Sequence, residues 1–276
     1  PHVAVDHSGN AQLVWFDYRD GTRDIYRSVR QAAGGSWSAN EQLAGSYSDP
    51  DGYNSIGSIA LASNPGGSFW FAYGGHSCYP CWSYVRVGAW TTGIGDIHGA
   101  MLLKDIAVDN NGGALVATSE IVDYYGPVPW KIRVYGCQPD AQTCSDVPGF
   151  ISDTYGADAI DPSLAASGTG GAHLAWADSR YRNRDIFYRS ASSGDQIIND
   201  DQCSSPGQTK PDLAVDDAGN AYAVWEDIRS GDAGIYFAFR PVGGSWQTPV
   251  RMQDPGVHGD RLGPAIAVDP AGHASA

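Results

Sequence analysis

Positive charge is scarce in this chain. Its 276 residues hold 17 Lys plus Arg against 31 Asp plus Glu, a formal net charge of −14. Lysine occurs only at Lys104, Lys131 and Lys210. This balance argues against nucleic acid as a partner, since phosphate binding needs a basic stripe. Long apolar runs are missing too, and none approaches the ~18–20 residues of a membrane-crossing helix. No segment of useful length has the 3.6-residue periodicity of an amphipathic helix. What is abundant points elsewhere. There are 35 Gly, 9 Trp and 15 Tyr, and aromatics reach 11%. That aromatic content argues against disorder. The length allows one large all-β domain or two smaller ones.

Arginine supplies most of the cations, the better choice where a fixed fork must hold a carboxylate. Five cysteines occur, at 78, 81, 137, 144 and 203. Cys137 and Cys144 bracket a short polar loop and read as a hairpin tip closed by a disulfide. Cys78-Tyr79-Pro80-Cys81 has C-x-x-C spacing, which fits a redox pair, half of a zinc site, or a structural pair. No βαβ pattern surrounds it and there is no second C-x-x-C, which favours the structural reading. Together the cysteines favour an oxidising compartment, secreted or cell-surface, extracellular or periplasmic. The chain opens inside what reads as a strand, Pro1-His2-Val3, with no signal peptide, and so reads as a mature or trimmed piece.

Internal repeats govern the rest. The stretches from His2 (HVAVDHSGNAQLVWFDYRDGTRDIYRS), Ser163 (SLAASGTGGAHLAWADSRYRNRDIFYRS) and Asp212 (DLAVDDAGNAYAVWEDIRSGDAGIYFAF) are copies of one unit. Divergent copies start at Ser58 and Asp105, and another opens at Ala265. The turn-opening position is read as Asp6, Ala62, Asp109, Ser167, Asp216 and Asp269. Nine residues after the first five stand Trp15, Phe71, Thr118, Trp176 and Trp225. Each copy reads as four short strands. An Asp-x-x-Gly-Asn turn joins the first two, with the Asp capping its own turn and Gly supplying a positive φ. A loop carrying Asp and Arg precedes the third. Gly-Gly-Ser-Trp (34–37 and 243–246) precedes the fourth. A period near 50 with four strands is the mark of a propeller blade. The expected fold is therefore all-β, a single β-propeller domain over 1–276. Its repeats run approximately 1–57, 58–104, 105–161, 162–210 and 211–263. A partial repeat, the first strand of a sixth, spans 264–276. Six blades are favoured, with seven or eight open if further chain follows.

The pattern VD-x-x-GN-x-x-x-x-W-x-D-x-R-x-G-x-x-x-IY, followed by GG-S-W, resembles the BNR or sialidase-like propeller repeats of secreted bacterial proteins, over essentially the whole chain. That family's Asp-box reads Ser-x-Asp-x-Gly-x-Thr-Trp. Here Gly34, Trp37, Gly243 and Trp246 keep its Gly and Trp, and its Asp is absent. The resemblance implies a propeller whose ligand face carries the loops between second and third strands. It also brings in the sialidase arginine trio, with a Tyr nucleophile, a neighbouring Glu and an Asp acid, an exception to the paired-carboxylate scheme.

Candidate ligand-binding residues follow from the repeated loop and from departures from the repeat. The loop gives Asp17 and Arg19, Asp178 and Arg180, and Asp227 and Arg229. These suit either a carboxylated ligand or pairing within and between blades, and a residue type repeated in blade after blade favours pairing. The departure Glu120–Trp130 gives Glu120, Tyr124, Tyr125 and Trp130, aromatics suited to stacking on sugars or to covering a blade edge. His76, in the divergent loop of repeat two, reads more readily as a plain loop residue than as a base or ligand. Asp49, Asp51 and Asn54 offer oxygen donors around Gly52, the chemistry of Ca²⁺, and Asp158 with Asp161 and Asn199–Asp201 add acidic loops. No His spacing suggests a transition-metal site. The residues that would be catalytic are left unassigned. The preferred reading is an extracellular binding module for glycan or a protein partner. A sialidase-like hydrolase or polysaccharide lyase on acidic glycan is the rival, and a structural repeat within a larger or self-assembling extracellular array is the third reading.

Overall fold

The computed structural model describes residues 1–44, 55–64, 66–78, 81–89, 94–98, 101–121, 130–138, 144–151, 157–168, 170–200, 207–229, 231–252, 259–269 and 272–276. The described residues form strands and turns with no helix. They fall into two compact units. One comprises residues 1–120 and 134–147, the other residues 121–133 and 148–276, and the division runs through the third sheet.

In the first unit, β1 (His2–Val5), β2 (Ala11–Asp17), β3 (Asp24–Arg30) and β4 (Glu41–Ala44) pair in chain order as an antiparallel sheet. The second sheet repeats the plan with β5 (Ser55–Ser63), β6 (Phe69–Cys78), β7 (Cys81–Ala89) and β8 (Ile94–His98). The third sheet, which the division crosses, is β9 (Met101–Val108), β10 (Ala114–Ile121), β11 (Trp130–Cys137) and β12 (Cys144–Ile151). Alternation puts one side chain in two on each face, and the apolar faces meet. Val14 and Ile25 pack with Ile59, Phe71 and Tyr73 between the first two sheets. Trp70, Val85 and Val87 pack with Ile106, Val116 and Tyr135 between the second and third. The Cys137–Cys144 disulfide is present, as expected.

In the second unit, β13 (Ala159–Ala166), β14 (Ala172–Asp178), β15 (Asp185–Ser190) and β16 (Gln196–Ile197) form one sheet. β17 (Thr209–Val215), β18 (Ala221–Asp227), β19 (Gly234–Arg240) and β20 (Val250–Arg251) form the next. Both β14 and β18 are buried at every position. β17 lies against β13, β14 and β15, with Ile186, Tyr188, Trp225 and Ala238 in the shared core. The sixth repeat shows a two-stranded hairpin, β21 (Ala267–Val268) and β22 (Ala274–Ser275), one strand more than the single strand expected. β21 packs on β17.

The turn between first and second strands behaves as the sequence predicts. Asp6 Oδ1 accepts the Asn10 backbone N–H at 2.9 Å, and Asn10 Nδ2 donates to Asp6 Oδ2 at 2.8 Å. Asp216 and Asn220 repeat this pair. The fourth turn residue is glycine at positive φ each time: Gly9, Gly67, Gly112, Gly170, Gly219 and Gly272, a region that costs other residues a Cβ clash. One anchor needs correction. In the second sheet the turn opens at Asn64, not Ala62: Asn64 Oδ1 accepts the Ser68 N–H at 2.8 Å and the Gly67 N–H closes on the Asn64 carbonyl. Tyr73, not Phe71, therefore stands where Trp15, Trp176 and Trp225 stand.

Successive turns also hold one another. Trp70 Nε1 donates to the Gly112 carbonyl at 2.8 Å, and Tyr222 Oη donates to the Gly272 carbonyl at 3.1 Å. In each case a second-strand aromatic reaches the glycine of the following repeat's turn. On the first strands, Asp212 accepts from Ser163 Oγ at 2.9 Å and from the Ile266 N–H at 2.7 Å, linking three repeats.

Candidate functional site

The Asp-x-Arg loops lie at the other end of the second strands from these turns. In each, the tryptophan and the aspartate two residues later share one strand face, because side chains alternate with period two. Trp15, Trp176 and Trp225 donate their indole Nε1 to Asp17, Asp178 and Asp227 at 3.2, 3.0 and 3.4 Å. The same aspartates accept the backbone N–H of Arg19, Arg180 and Arg229, at 2.9 Å each. Each arginine then folds back onto its aspartate. Its guanidinium lies over an aromatic ring of the third strand: Arg19 over Tyr26 at 4.0 Å, Arg180 over Phe187 at 4.1 Å, Arg229 over Tyr236 at 4.4 Å. Those rings stack on the tryptophans. Tryptophan, aspartate, arginine and aromatic thus form one linked set within each of these three sheets.

The pairing extends outward in the second unit. Arg180 also binds Asp195 at 2.7 Å, and Asp195 takes Arg189 Nε at 2.7 Å. Arg229 also binds Asp200 at 2.5 Å, on the loop after β16 of the preceding sheet. Asp178 and Asp227 are fully buried. The Arg19 side chain, hydrogen-bonded to Asp17, holds that carboxyl far below the usual carboxylate range, and the same bond pushes Arg19 up. Burial pulls Arg180 down, but its bonds to Asp178 and Asp195 more than offset this and leave it raised. The arginines are held groups rather than free arms.

Next to each arginine in the sequence is an exposed side chain that the sequence reading did not single out. Tyr18 is 62% exposed, Tyr181 51% and Ile228 39%. Tyr181 leans on Phe187 with ring centroids 6.1 Å apart, beside Arg180 on the same ring. The runs D-Y-R at 17–19 and R-Y at 180–181 were the available signal.

Glu120 occupies, two residues after Thr118, the place that Asp17, Asp178 and Asp227 hold two residues after their tryptophans. It accepts the Tyr135 hydroxyl at 2.8 Å. Its departure is thus a substitution within the repeat. Within the second unit, the backbone N–H of Trp130 donates to Asp158 Oδ1 at 3.1 Å, and Asp158 and Ser179 exchange two further bonds, which ties Trp130 to the Asp178–Arg180 loop. Tyr124 and Tyr125 lie outside the described residues, as do Asp49, Asp51 and Asn54. Among the described residues no three His, Cys, Asp or Glu side chains gather as a metal site. The described acidic loops are engaged otherwise: Asn199 binds Asp185 and the Ile186 N–H, and Asp200 binds Arg229. In the β6–β7 backbone register Cys78 is the partner of Cys81 and His76 of Ser83.

Sequence reasoning also passed over Glu226 as a site member. It points to the opposite face of β18 from Trp225 and Asp227, and is 6% exposed. It accepts Lys210 Nζ at 3.0 Å and the Gly263 N–H at 2.6 Å. Lys210 and Gly263 each precede a proline and each has positive φ, as does Asp161 before Pro162. At Asp161–Pro162 and Lys210–Pro211 the first strands are bulged against β14 and β18. Bulges and left-handed non-glycine residues of this kind are local strain held by their surroundings.

No protein-family profile and no curated protein matches the chain. Solved structures do resemble it. An α-L-arabinanase from Penicillium chrysogenum, solved with arabinobiose, superposes with TM-score 0.54 and 14% identity, over 97% of this chain and 84% of that one. The Dos1 propeller gives 0.52 and 9%, over 91% and 60%. A fucose-specific lectin from Aleuria aurantia gives 0.51 and 14%, over 92% and 78%. At such identities the likeness speaks to the fold. Four-stranded antiparallel sheets, built in chain order and repeated along the sequence, make this chain a β-propeller.

Proposed function

We propose that the chain is an extracellular glycan-binding propeller of the BNR or sialidase-like kind, with its ligand on the Asp-x-Arg loops. The observation that carries this reading is the pair of exposed tyrosines, Tyr18 and Tyr181, each beside an arginine fixed by salt bridges. An aromatic face stacks on the C–H face of a sugar, and fixed polar groups at its edge bind hydroxyls with little ordering cost. Arginines already paired to aspartate suit neutral or weakly acidic sugars better than a strongly anionic one. The arabinanase and lectin likenesses agree with a saccharide ligand. The disulfide fits an oxidising compartment.

A second reading rests on one contact. Tyr135 and Glu120 form a hydrogen-bonded tyrosine–glutamate pair, the arrangement that activates a tyrosine nucleophile in sialidase-like hydrolysis. Tyr135 is 6% exposed and lies in the core of the first unit, which favours binding over catalysis.

The test is a glycan array followed by calorimetry on the hits, with an assay for released sugar on the same glycans. Binding without release is expected. Tyr181→Ala should weaken it at least about tenfold while leaving the melting temperature nearly unchanged, as stacking on an exposed ring predicts. Sugar release abolished by Tyr135→Phe and Glu120→Gln would replace this reading with the hydrolase. No binding to any glycan would overturn both.

A further inference from the structure

Arg240 and Trp246 present two N–H donors without acceptors among the described residues, and both pack on one ring, that of Tyr188. Arg240 ends β19 and is 8% exposed. Its guanidinium carbon lies 5.4 Å from the Tyr188 centroid, and its Nε is buried with no partner among the described residues. No carboxylate among the described residues pairs with it. The Trp246 indole stands edge-on to Tyr188 at 5.0 Å, and its Nε1 is likewise buried and unpartnered. Tyr188 itself is fully buried, and its hydroxyl meets His173 Nδ1 at 2.7 Å. The cluster lies between the sheets of β13–β16 and β17–β20. His173 stands near the start of β14 and Arg240 at the end of β19, at the opposite strand ends from Asp178 and Asp227.

The first sheet shows the same Arg and Trp positions with a different outcome. Arg30 and Trp37 match Arg240 and Trp246 in the repeat. Arg30 Nε donates to the Gly35 carbonyl at 3.1 Å, and Trp37 is 45% exposed. The repeat therefore does not by itself strand these donors; their packing against Tyr188 does.

A buried guanidinium with no counter-charge among the described residues, and a buried N–H with no acceptor among them, are both costly. One oxyanion answers both, because a guanidinium fork and an indole N–H are donors only. A metal cation is excluded by the same inventory. We propose that Arg240 and Trp246 form an oxyanion site that takes the carboxylate or sulfate group of a small anionic ligand, with Tyr188 as its floor. The site is independent of the tyrosines on the Asp-x-Arg loops. The groups facing it from the neighbouring sheet are His173 and Tyr188. Burial, and then the Arg240 charge, hold His173 down at about 4, so an anion on Arg240 lets the imidazole protonate more readily.

The experiment is a titration of the whole chain with sodium sulfate, sodium glucuronate and, as the neutral control, glucose. Ionic strength is held with chloride, and binding is followed by calorimetry and by the NMR signals of the His173 ring and the Trp246 indole. Saturable binding that shifts both signals and raises the His173 titration midpoint is expected from the anions and not from glucose. Binding by both anions supports a site for the oxyanion group itself. Glucuronate alone assigns it to a carboxylated sugar, and sulfate alone to sulfate or a sulfate ester. Arg240→Gln should weaken binding at least about tenfold, the loss expected for a charge-assisted bond. Should that variant not fold, Arg240→Lys keeps the charge, loses the fork, and should still bind more weakly. Trp246→Phe should fold and bind a few-fold more weakly. No saturable binding by either anion, or undiminished binding by the folded Arg240 variant, overturns the proposal.

Discussion

The indole N–H of Trp176 points at the carboxylate of Asp178, two residues along the same face of β14, and Arg180 closes on that carboxylate from the loop beyond. The charge pair sits at the rim of the core, its aspartate dry and its arginine partly wet. This explains why Asp, Arg and Trp travel together through the repeats. The aspartate ends the strand, caps the loop and anchors the guanidinium that covers the third-strand ring.

Removing that aspartate should unbalance the whole set. Asp178→Ala leaves a buried indole N–H and a cation with Asp195 as its remaining partner. We expect a loss of about 3 kcal/mol, in the range for breaking a buried pair, read as a lower urea midpoint at unchanged m-value. Asp17→Ala should cost less, because Arg19 is 42% exposed and water replaces its partner. Equal losses would show that burial does not set the strength of these pairs.

Acid should weaken the second unit in a defined window. His173 titrates at about 4 in the folded chain against an ordinary histidine value of 6.5, because burial and then Arg240 disfavour its charge. The unfolded chain therefore binds the proton first as pH falls. The stability tied to the neutral imidazole is full above pH 6.5 and is lost as pH falls from there to about 4. The loss is on the order of 3 kcal/mol. Urea midpoints between about pH 4 and 7 should fall with acid in the native chain and stay flatter in His173→Gln. Asp17 acts lower: its depressed carboxyl supports the fold above its ordinary range and gives way only below about pH 4.

Reduction should loosen the third sheet. The Cys137–Cys144 bridge closes a short loop, with a sequence separation of 7. Chain-entropy arguments give it roughly 2–3 kcal/mol. Cys137→Ser with Cys144→Ser should lower the denaturation midpoint accordingly, and the native chain under dithiothreitol should match it.

Asp161 offers the opposite sign. It holds φ 51 before Pro162, whereas the matching position of the last repeat is Gly263 at φ 67. Asp161→Gly relieves the left-handed strain and adds unfolded-state entropy, leaving a net gain of about 0.5 kcal/mol. A loss of stability on thermal denaturation would show that the bulge is unstrained.

The architecture was legible because it is local and repeated. The Asp-x-x-Gly turn carries its own hydrogen bonds, so Asp6, Asp109 and Asp216 mark themselves in the sequence. At Asn64 the reading slipped by two, because the alternating run around it fits either register and Asn makes the same bonds as Asp, whereas Ser167 opens its turn where expected. The loop pairings were half legible. Asp17 with Arg19 is a two-residue relationship, but the second partners of Arg180 and Arg229, Asp195 and Asp200, come from loops that no spacing rule connects to them.

The sequence by itself determined the repeated four-stranded unit, its turns, its tryptophan core and the Cys137–Cys144 bridge. Each depends on contacts within a few tens of residues, and alternation and turn chemistry encode these directly. Only the tertiary structure decided which polar groups find partners. It locked the arginines onto aspartates, gave Glu226 to Lys210 and the Gly263 N–H, and packed Arg240 and Trp246 on Tyr188 with two N–H groups lacking acceptors among the described residues. The physical reason is that hydrogen-bond satisfaction of a buried group depends on what the neighbouring sheet brings to it, and identical repeats meet different neighbours.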